Sequence, residues 1–513
     1  MSNVYLDGTT LEGGGQLVRN ALALSSLTRT PIHITSIRGN RSDGGGLKAQ
    51  HLSALDWLAR ATGAVVEGAH RRSKEVVFKP GDGVRVDLNG GMGGRREVEI
   101  DVGSPGSVFL VFQAVLPVLI FGGMGEEPLT LIIRGGTTVS HSPSHAYVAQ
   151  VLIPTLSRIG LPPITVSHPN HNNLINTVTF TITPLPLGAS LPVFSLTDRG
   201  EVSSVDVTIV APSEAMRRVM EGEVCGALRE WGKEFEIRLF GEEEEREDGS
   251  EEAESHKNKN NNKNNILYIL LVLHTTTSQI LATDSLLTLP NPSKRKNVPN
   301  RHNLRATALT AFTTKTAKAL KREWDRGGCV DYRMRDQLVV FQGLASGRCR
   351  VDGGGGGGEI EDGDDDGDYD GGGSMHTKTS RWVLSQLLGV KWDGEGNCEG
   401  VGWKSGERWR GRLVGESGGA VGDEQVKKAT RKKVAAAVVK NKAREKGKGR
   451  GEGWGKGKGK GRVVAGGLCT SGEEDDDYEV DYEEDGVLGR ATKGKGGGDG
   501  DCEFVEAVDA LSI

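Results

Sequence analysis

The chain has 513 residues, 64 Lys and Arg against 69 Asp and Glu, a net charge of −5 and 75 glycines, about twice the usual glycine share. Six scattered cysteines with no CxxC pair argue against a disulfide framework or a cysteine zinc site and fit a reducing compartment. The most apolar run, ILYILLVL from Ile266, falls far short of the roughly 20 residues of a membrane helix, and the N-terminus has no basic–apolar leader pattern, so a soluble intracellular protein is expected.

The segment from Glu12 to Leu52 concentrates the chemistry. A triple glycine follows Glu12, and Gln16 and Arg19 continue at near-helical spacing, which puts all three side chains on one face near a helix start. After the strand HITSI, Arg38 and Arg41 enter a second triple glycine, and Gln50 and His51 open the next helix. Arginines beside glycine turns and helix N-termini suit phosphate, because the guanidinium donates bidentately and free N–H groups favour anions. Surface ion pairing is the competing reading for the arginines.

Further along, QHLSALDWLARATGA has helical apolar spacing and EVVFKPG reads as a strand. VEIDVGSPGSVFLVFQAVLPVLIF carries a strand, a glycine turn and an apolar helix from near Ser107; LTLIIRGGTTVSHSPSHAYVAQVLIPTLSRIGL repeats that plan. The recurrence suggests repeated βαβ-like units. His141 and His145 stand four apart, but Pro143 lies between them and no nearby carboxylate completes a metal set, so a satisfied or solvent-facing role is expected.

Residues 165–176 read as an irregular polar loop, followed by strands in TVTFTITPLP and VFSLTDRGEVSSVDVTIVAPS, a helix in SEAMRRVMEGEVCGALREW and a strand in EFEIRLF. The low-complexity stretch 241–265 is expected to be disordered. ILYILLVLHT then resumes as a buried strand, a Pro/Asn-rich break follows, and ATALTAFTTKTAKALKREW forms a helix, so 199–326 reads as a second α/β unit. An apolar helix is expected from near Asp336, then a Gly/Asp tract over 352–373, then the helix SMHTKTSRWVLSQLLGVKW with His376 at its entry among hydroxyl residues. The basic block at 426–462 and the acidic one after Gly472 read as solvated tail; the basic block suits weak, salt-sensitive RNA contact or nuclear import.

Taken together, EGGGQLVRNALALS, IRGNR…GGGLKAQHL, DVGSPGSVFLVFQAVLP, RGGTTVSHSP, VLIPTLSRIGLP, GGCVD…DQLVVFQGLA and SMHTKTSRWVLSQLLGV closely resemble the RNA 3′-terminal phosphate cyclases, in order over most of residues 5–395. The resemblance implies an α/β (α+β) fold of repeated βαβαββ units, with a smaller α/β domain inserted before the last unit. Large-domain segments at 1–198 and 327–400 would flank the insertion at 199–326, and 401–513 would be a mostly disordered tail.

What the resemblance implies chemically is ATP-dependent conversion of an RNA 3′-phosphate to a 2′,3′-cyclic phosphate, through histidine–AMP and RNA-ppA intermediates, with Mg²⁺ or Mn²⁺, in the nucleus and also the cytoplasm. His376 matches the nucleophile and Glu12 the acidic residue that holds the divalent metal. Gln16, Arg19, Arg38, Arg41, Gln50 and His51 match ligand-facing positions; Gln113, Asp336 and Gln337 match the nucleotide pocket. A core role for Gln113 and a helix-capping role for Asp336 stand beside those. Partners would be ATP and an RNA with a 3′-phosphate, with no membrane. Two departures are visible. HPNHNNLIN replaces an arginine-glycine-tryptophan segment, leaving one strand and turn in question, and Arg333 stands where a tyrosine is usual, with Tyr332 one step away. The alternative is the non-catalytic, cyclase-like branch that acts in rRNA processing and ribosome assembly; His376 and EGGGQ favour the enzyme.

Overall fold

Three small sheets along this chain share one strand arrangement, each packed with two main helical segments of its own repeat. The computed structural model describes residues 3–84, 96–167, 175–240, 266–289, 301–355 and 373–407, with side chains of 301–306 excepted. The first repeat runs β1 (Val4–Asp7), α1 (Gly15–Thr28), β2 (Ile32–Thr35), α2 (Ala49–Thr62), β3 (Val65–Glu67) and β4 (Val76–Lys79). Its strands lie in the order β1-β2-β4-β3, with β1 parallel to β2 and the other pairs antiparallel.

The second repeat has the same plan. It comprises β5 (Glu97–Asp101), α3 (Val108–Phe121), β6 (Leu129–Gly135), α4 (His145–Tyr147), a π-helical turn over Val148–Leu152, α5 (Ile153–Arg158), β7 (Ile164–Val166) and β8 (Asn176–Ile182). The order is again β5-β6-β8-β7, with the same directions. Both closing strands are present, so no strand is lost at the departure noted above; residues 168–174 lie outside the described residues. The loop expected over 165–176 is thus partly strand at each end. Ser107 caps α3 by accepting the Leu110 N–H at 3.2 Å. That helix is apolar all round apart from Gln113, which fits its place packed among α1, α2 and the second sheet.

The third repeat begins with β9 (Ser195–Leu196) and is then interrupted. The interruption is β10 (Val202–Val210), α6 (Glu214–Arg229), β11 (Glu236–Phe240), β12 (Ile266–Thr275), β13 (Ile280–Thr288) and α7 (Arg301–Asp325). The repeat then resumes with α8 (Tyr332–Leu344), β14 (Arg348–Val351), α9 (Met375–Leu388) and β15 (Cys398–Glu399). β9 runs parallel to β14, β14 antiparallel to β15, and a bridge from Cys398 to Trp392 fills the fourth position. The insertion therefore falls inside the last unit, after its first strand, and does not precede the unit as expected.

The inserted strands form a separate sheet, β11-β10-β12-β13. Leu267, Ile269, Leu271 and Leu273 of β12 pack with α6 and α7, whereas Tyr268, Leu270 and Val272 on the opposite face join the main core. Burial on both faces explains the unbroken apolar run ILYILLVL. Residues Met1–Glu416 accordingly cluster as one compact unit. The other unit, Ser417–Ile513, lies outside the described residues, as do the low-complexity stretch 241–265 and most of the tract 352–373. Among the described residues no helix is long and apolar enough to cross a membrane.

Candidate active site

The loops after the first two strands of repeat one face the start of α9 from repeat three, and the contacts between them are specific. α1 and α9 pack together, with α8 against α9 and α3 against α1. Ser374 caps α9 by accepting the Thr377 N–H at 3.2 Å, which places His376 in the helix's first turn. Its Nδ1 is buried and lies 3.8 Å from Glu12 Oε1. Glu12 is held from three sides. Its N–H donates to Thr379 Oγ1 at 3.1 Å, its Oε2 accepts the Gly14 N–H at 2.8 Å, and its Oε1 pairs with Arg41. One turn along α9, buried Ser380 Oγ accepts from Gln16 Nε2 at 3.1 Å and Asn20 Nδ2 at 2.9 Å. Those two hydroxyls fix the approach of α1 to α9, and so of Glu12 to His376.

The glycines are explained by crowding. A Cβ on Gly14 would overlap the Glu12 carboxylate, and one on Gly15 would stand 2.8 Å from His51 Nε2 and 3.0 Å from Arg19. With glycine at its N-cap, α1 has no side-chain cap, so its first turn presents backbone donors beside both side chains. His51 accepts the Lys48 N–H on Nδ1 at 3.1 Å, which puts its proton on Nε2, toward Gly15. Burial, reinforced by Arg19, Arg38 and Lys48, lowers the His51 pKa to about 3, so it acts as a neutral donor.

A cleft beside α1 is lined by Gln16, Arg19, Gln113, Asp336 and Gln337, closed on its apolar side by residues such as Phe112 and Leu152. Arg19 is half-buried and donates to Gln16 Oε1; desolvation lowers its pKa, with Glu12 and Asp336 acting in the opposite direction. Burial raises Asp336 to about 6 even though His376, Gln337 and Arg19 favour its anion. Among the described residues Gln113 Oε1 and Arg19 Nε have no hydrogen-bond partner although buried. Unmatched polar atoms inside a cleft mark where a polar ligand would be held.

The remaining expected residues are placed differently. Arg38 is buried, with φ of 53°, and donates to Asp43 at 2.6 Å; Lys48 reaches the same carboxylate at 3.1 Å. Against the desolvation of burial, those donors and the Gly45 N–H hold the Asp43 carboxyl well below its ordinary range. Gln50 stands at the second repeat's glycine turn, where a Cβ on Gly106 would lie 2.9 Å from its Oε1. Asp336 does not cap its helix. The cap is Asp331, which accepts from Arg333 and Met334, so α8 begins earlier than the apolar pattern suggested. Arg333 pairs with Asp284 and donates to Tyr332 Oη at 2.7 Å, so the tyrosine and arginine at the second departure face the inserted sheet. Sequence reasoning missed Thr379, Ser380, Asn20 and Asp43; the hydroxyl run after His376 is a signal for the first two alone.

Residues 10–393 match the family described as RTC, RNA 3′-terminal phosphate cyclase, a span that holds every residue of the candidate site. The chain belongs to the RNA 3′-terminal phosphate cyclase family. Relatives bearing that same name include proteins from Desulfurococcus amylolyticus, 43% identical over 161 residues, and Pyrococcus furiosus, 40% identical over 158 residues. A third, from Methanosarcina mazei, is 42% identical over 157 residues. Each alignment covers 31% of this chain and 41% to 42% of the relative, so the chain spans about two fifths of the length of the curated relatives it matches. Among the described residues no three of His, Cys, Asp and Glu gather as a metal cluster.

Proposed function

We propose that the chain is a catalytic RNA 3′-terminal phosphate cyclase that uses ATP to close an RNA 3′-phosphate into a 2′,3′-cyclic phosphate. The observation that carries the reading is His376 in the first turn of α9, with Nδ1 facing Glu12 and the Arg19–Asp336 cleft alongside. With Nδ1 turned inward, Nε2 is the nucleophile. Its lone pair bonds to the α-phosphorus of ATP as the bond to pyrophosphate breaks, giving histidine–AMP. An oxygen of the RNA 3′-phosphate then takes the AMP, and the P–N bond breaks. The vicinal 2′-hydroxyl attacks the activated 3′-phosphorus, loses its proton, and AMP leaves. Splitting the reaction this way replaces a poor leaving group with a good one.

The chain's own residues suit the separate tasks. Free N–H groups at the start of α1, with Arg19 and the neutral His51 donor, suit the phosphates. Gln113, Asp336 and Gln337 suit the nucleoside end, where the unmatched amide oxygen of Gln113 seeks a donor. Glu12 is the carboxylate that would hold a divalent ion, which fits Mg²⁺, since that ion uses one or two carboxylates with phosphates and water. Bound there, the ion would supply neutralisation of triphosphate charge. Arg41 would have to share or yield its hold on that carboxylate.

The test is covalent labelling with ATP carrying label at the α-phosphate, plus Mg²⁺, read on a denaturing gel. Acid-labile label on the wild type and none on His376→Ala is expected. No label on either, from folded protein, moves the assignment to the non-catalytic rRNA-processing branch of the family.

A further inference from the structure

Away from the candidate site, a buried polar junction joins the second repeat, the inserted sheet and the third repeat, and α8 starts from it. Asp331 is fully buried, and its carboxylate accepts four hydrogen bonds. Its Oδ1 accepts Tyr147 Oη at 2.8 Å, the Arg333 N–H at 3.0 Å and the Met334 N–H at 2.9 Å. Its Oδ2 accepts the Ala282 N–H of β13 at 3.1 Å. Val330, one residue earlier, forms a parallel bridge with Ile280, so the chain entering α8 is stitched to the edge of the inserted sheet. A second tie lies alongside, where Arg333 pairs with Asp284 of β13. Tyr268 Oη reaches that carboxylate at 3.3 Å and the α4 cap Ser144 at 2.5 Å.

An N-cap needs only the two bonds to Arg333 and Met334. The other two bonds, to Tyr147 and Ala282, come from the second repeat and the inserted sheet. They cost a buried carboxylate, and helix capping does not require them. What lies immediately downstream supplies the reason. Asp336 and Gln337 follow five and six residues later, about 7.5 Å along the helix axis, and line the cleft with Arg19 and Gln113. A small rotation of the first turn of α8 moves both side chains, because a helix transmits such a shift as a rigid element.

We propose that Asp331 is a positioning residue for the nucleotide cleft, tying the first turn of α8 to the inserted sheet and to Tyr147 so that Asp336 and Gln337 stand correctly against Arg19 and Gln113. The inserted sheet then has a direct part in ATP binding without touching ATP. This rests on the function proposed above.

Asp331→Asn separates the two roles. Asparagine is a good N-cap, and its oxygen can keep the three donors on the Oδ1 side. Its amide N–H group must then face the Ala282 N–H, so the tie to the inserted sheet is lost while the cap survives. The full-length chain is titrated with ATP, by α-phosphate labelling and by calorimetric binding. Losing a bond to a charged acceptor predicts an ATP half-saturation raised about tenfold. Label at saturating ATP should stay within about twofold of wild type. A merely structural role would lower the labelled fraction and leave half-saturation unmoved, and that result overturns the proposal. Arg333→Gln breaks the second tie at a more exposed position and should raise half-saturation in the same direction; it decides alone if Asp331→Asn does not fold. A wild type that binds ATP but takes no label removes the catalytic reading, while calorimetry on wild type and variants still decides this one.

Discussion

The first and second repeats share one topology, strand for strand, yet they have been put to different uses. In repeat one the loops after β1 and β2 carry Glu12, Arg38, Arg41, Asp43 and Lys48, a dense set of charges braced against each other. In repeat two the equivalent loops are DVGSPGS and RGGTTVSHSPS, rich in glycine and hydroxyls, and several of their polar groups are spent within the repeat. Ser107 Oγ pairs with Ser142 Oγ, and Asn176 Nδ2 donates to Thr137 at 2.9 Å. Each repeat also starts its second helix with a histidine: His51, His145 and His376. His376 Nδ1 lies 3.8 Å from a carboxylate of another repeat, whereas His145 Nε2 meets the Ser167 carbonyl oxygen at 2.9 Å. The fold therefore provides three equivalent loop clusters, and charge placement decides which one is chemically poised.

The sharpest way to break that contrast is Glu12→Gln. It keeps the shape but removes the charge that holds Arg41 and faces His376. Labelling by ATP should fall about a hundredfold, on the scale of losing one preorganised electrostatic contact. A fall of less than about threefold would show that the charges of repeat one are structural only.

A smaller effect is expected from Asp336→Asn, read as stability against pH. Burial raises the folded-state pKa of Asp336 from 3.8 to about 6, so between those values the folded chain holds more protons than the unfolded one. Stability contributed by this group is present below about pH 4 and is lost as pH rises to about 6. The asparagine variant lacks that loss. By denaturant unfolding it should gain on the order of 3 kcal/mol over wild type at pH 8, with the difference closing toward pH 4. Equal pH profiles for the two chains would mean that Asp336 is solvated and that the cleft is open to water.

The smallest effect belongs to repeat two. His145→Ala should cost about 1 kcal/mol of stability through its lost bond to Ser167 and leave ATP labelling within about twofold of wild type. Loss of labelling there would end the distinction between the repeats.

Much of this was legible in the sequence, for identifiable reasons. Glycine turns and helical spacing located α1, α2, α3 and α9 because those helices bury one face or are buried outright, and apolar periodicity reports burial. The Glu12, Gln16 and Arg19 face was likewise visible from spacing. Residues ILATDSLLT of β13 gave no such signal, since Asp284 turns toward a polar junction and breaks the apolar pattern. The true start of α8 was hidden for the same reason: Asp331, Arg333 and Arg335 precede its apolar run, and all three are buried or half-buried only because partners distant in sequence meet them. The hydroxyls of Thr379 and Ser380 resemble any polar helix entry until α1 is set beside them.

The interruption of repeat three also sets an order in time. β9 hydrogen-bonds to β14, and about 150 residues of chain separate the two. At roughly 5–20 residues per second, a ribosome needs on the order of ten to thirty seconds to deliver the partner strand. During that interval the first two repeats already possess all their strands, and the inserted sheet gains its own, while β9 waits unpaired at the rim. Contacts so distant in sequence form slowly even in the finished chain. The helix bearing His376 is consequently the last element of the candidate site to arrive, docking onto an α1 that was made first, and a truncated or stalled product ends with Glu12 and Arg41 made and no His376 beside them.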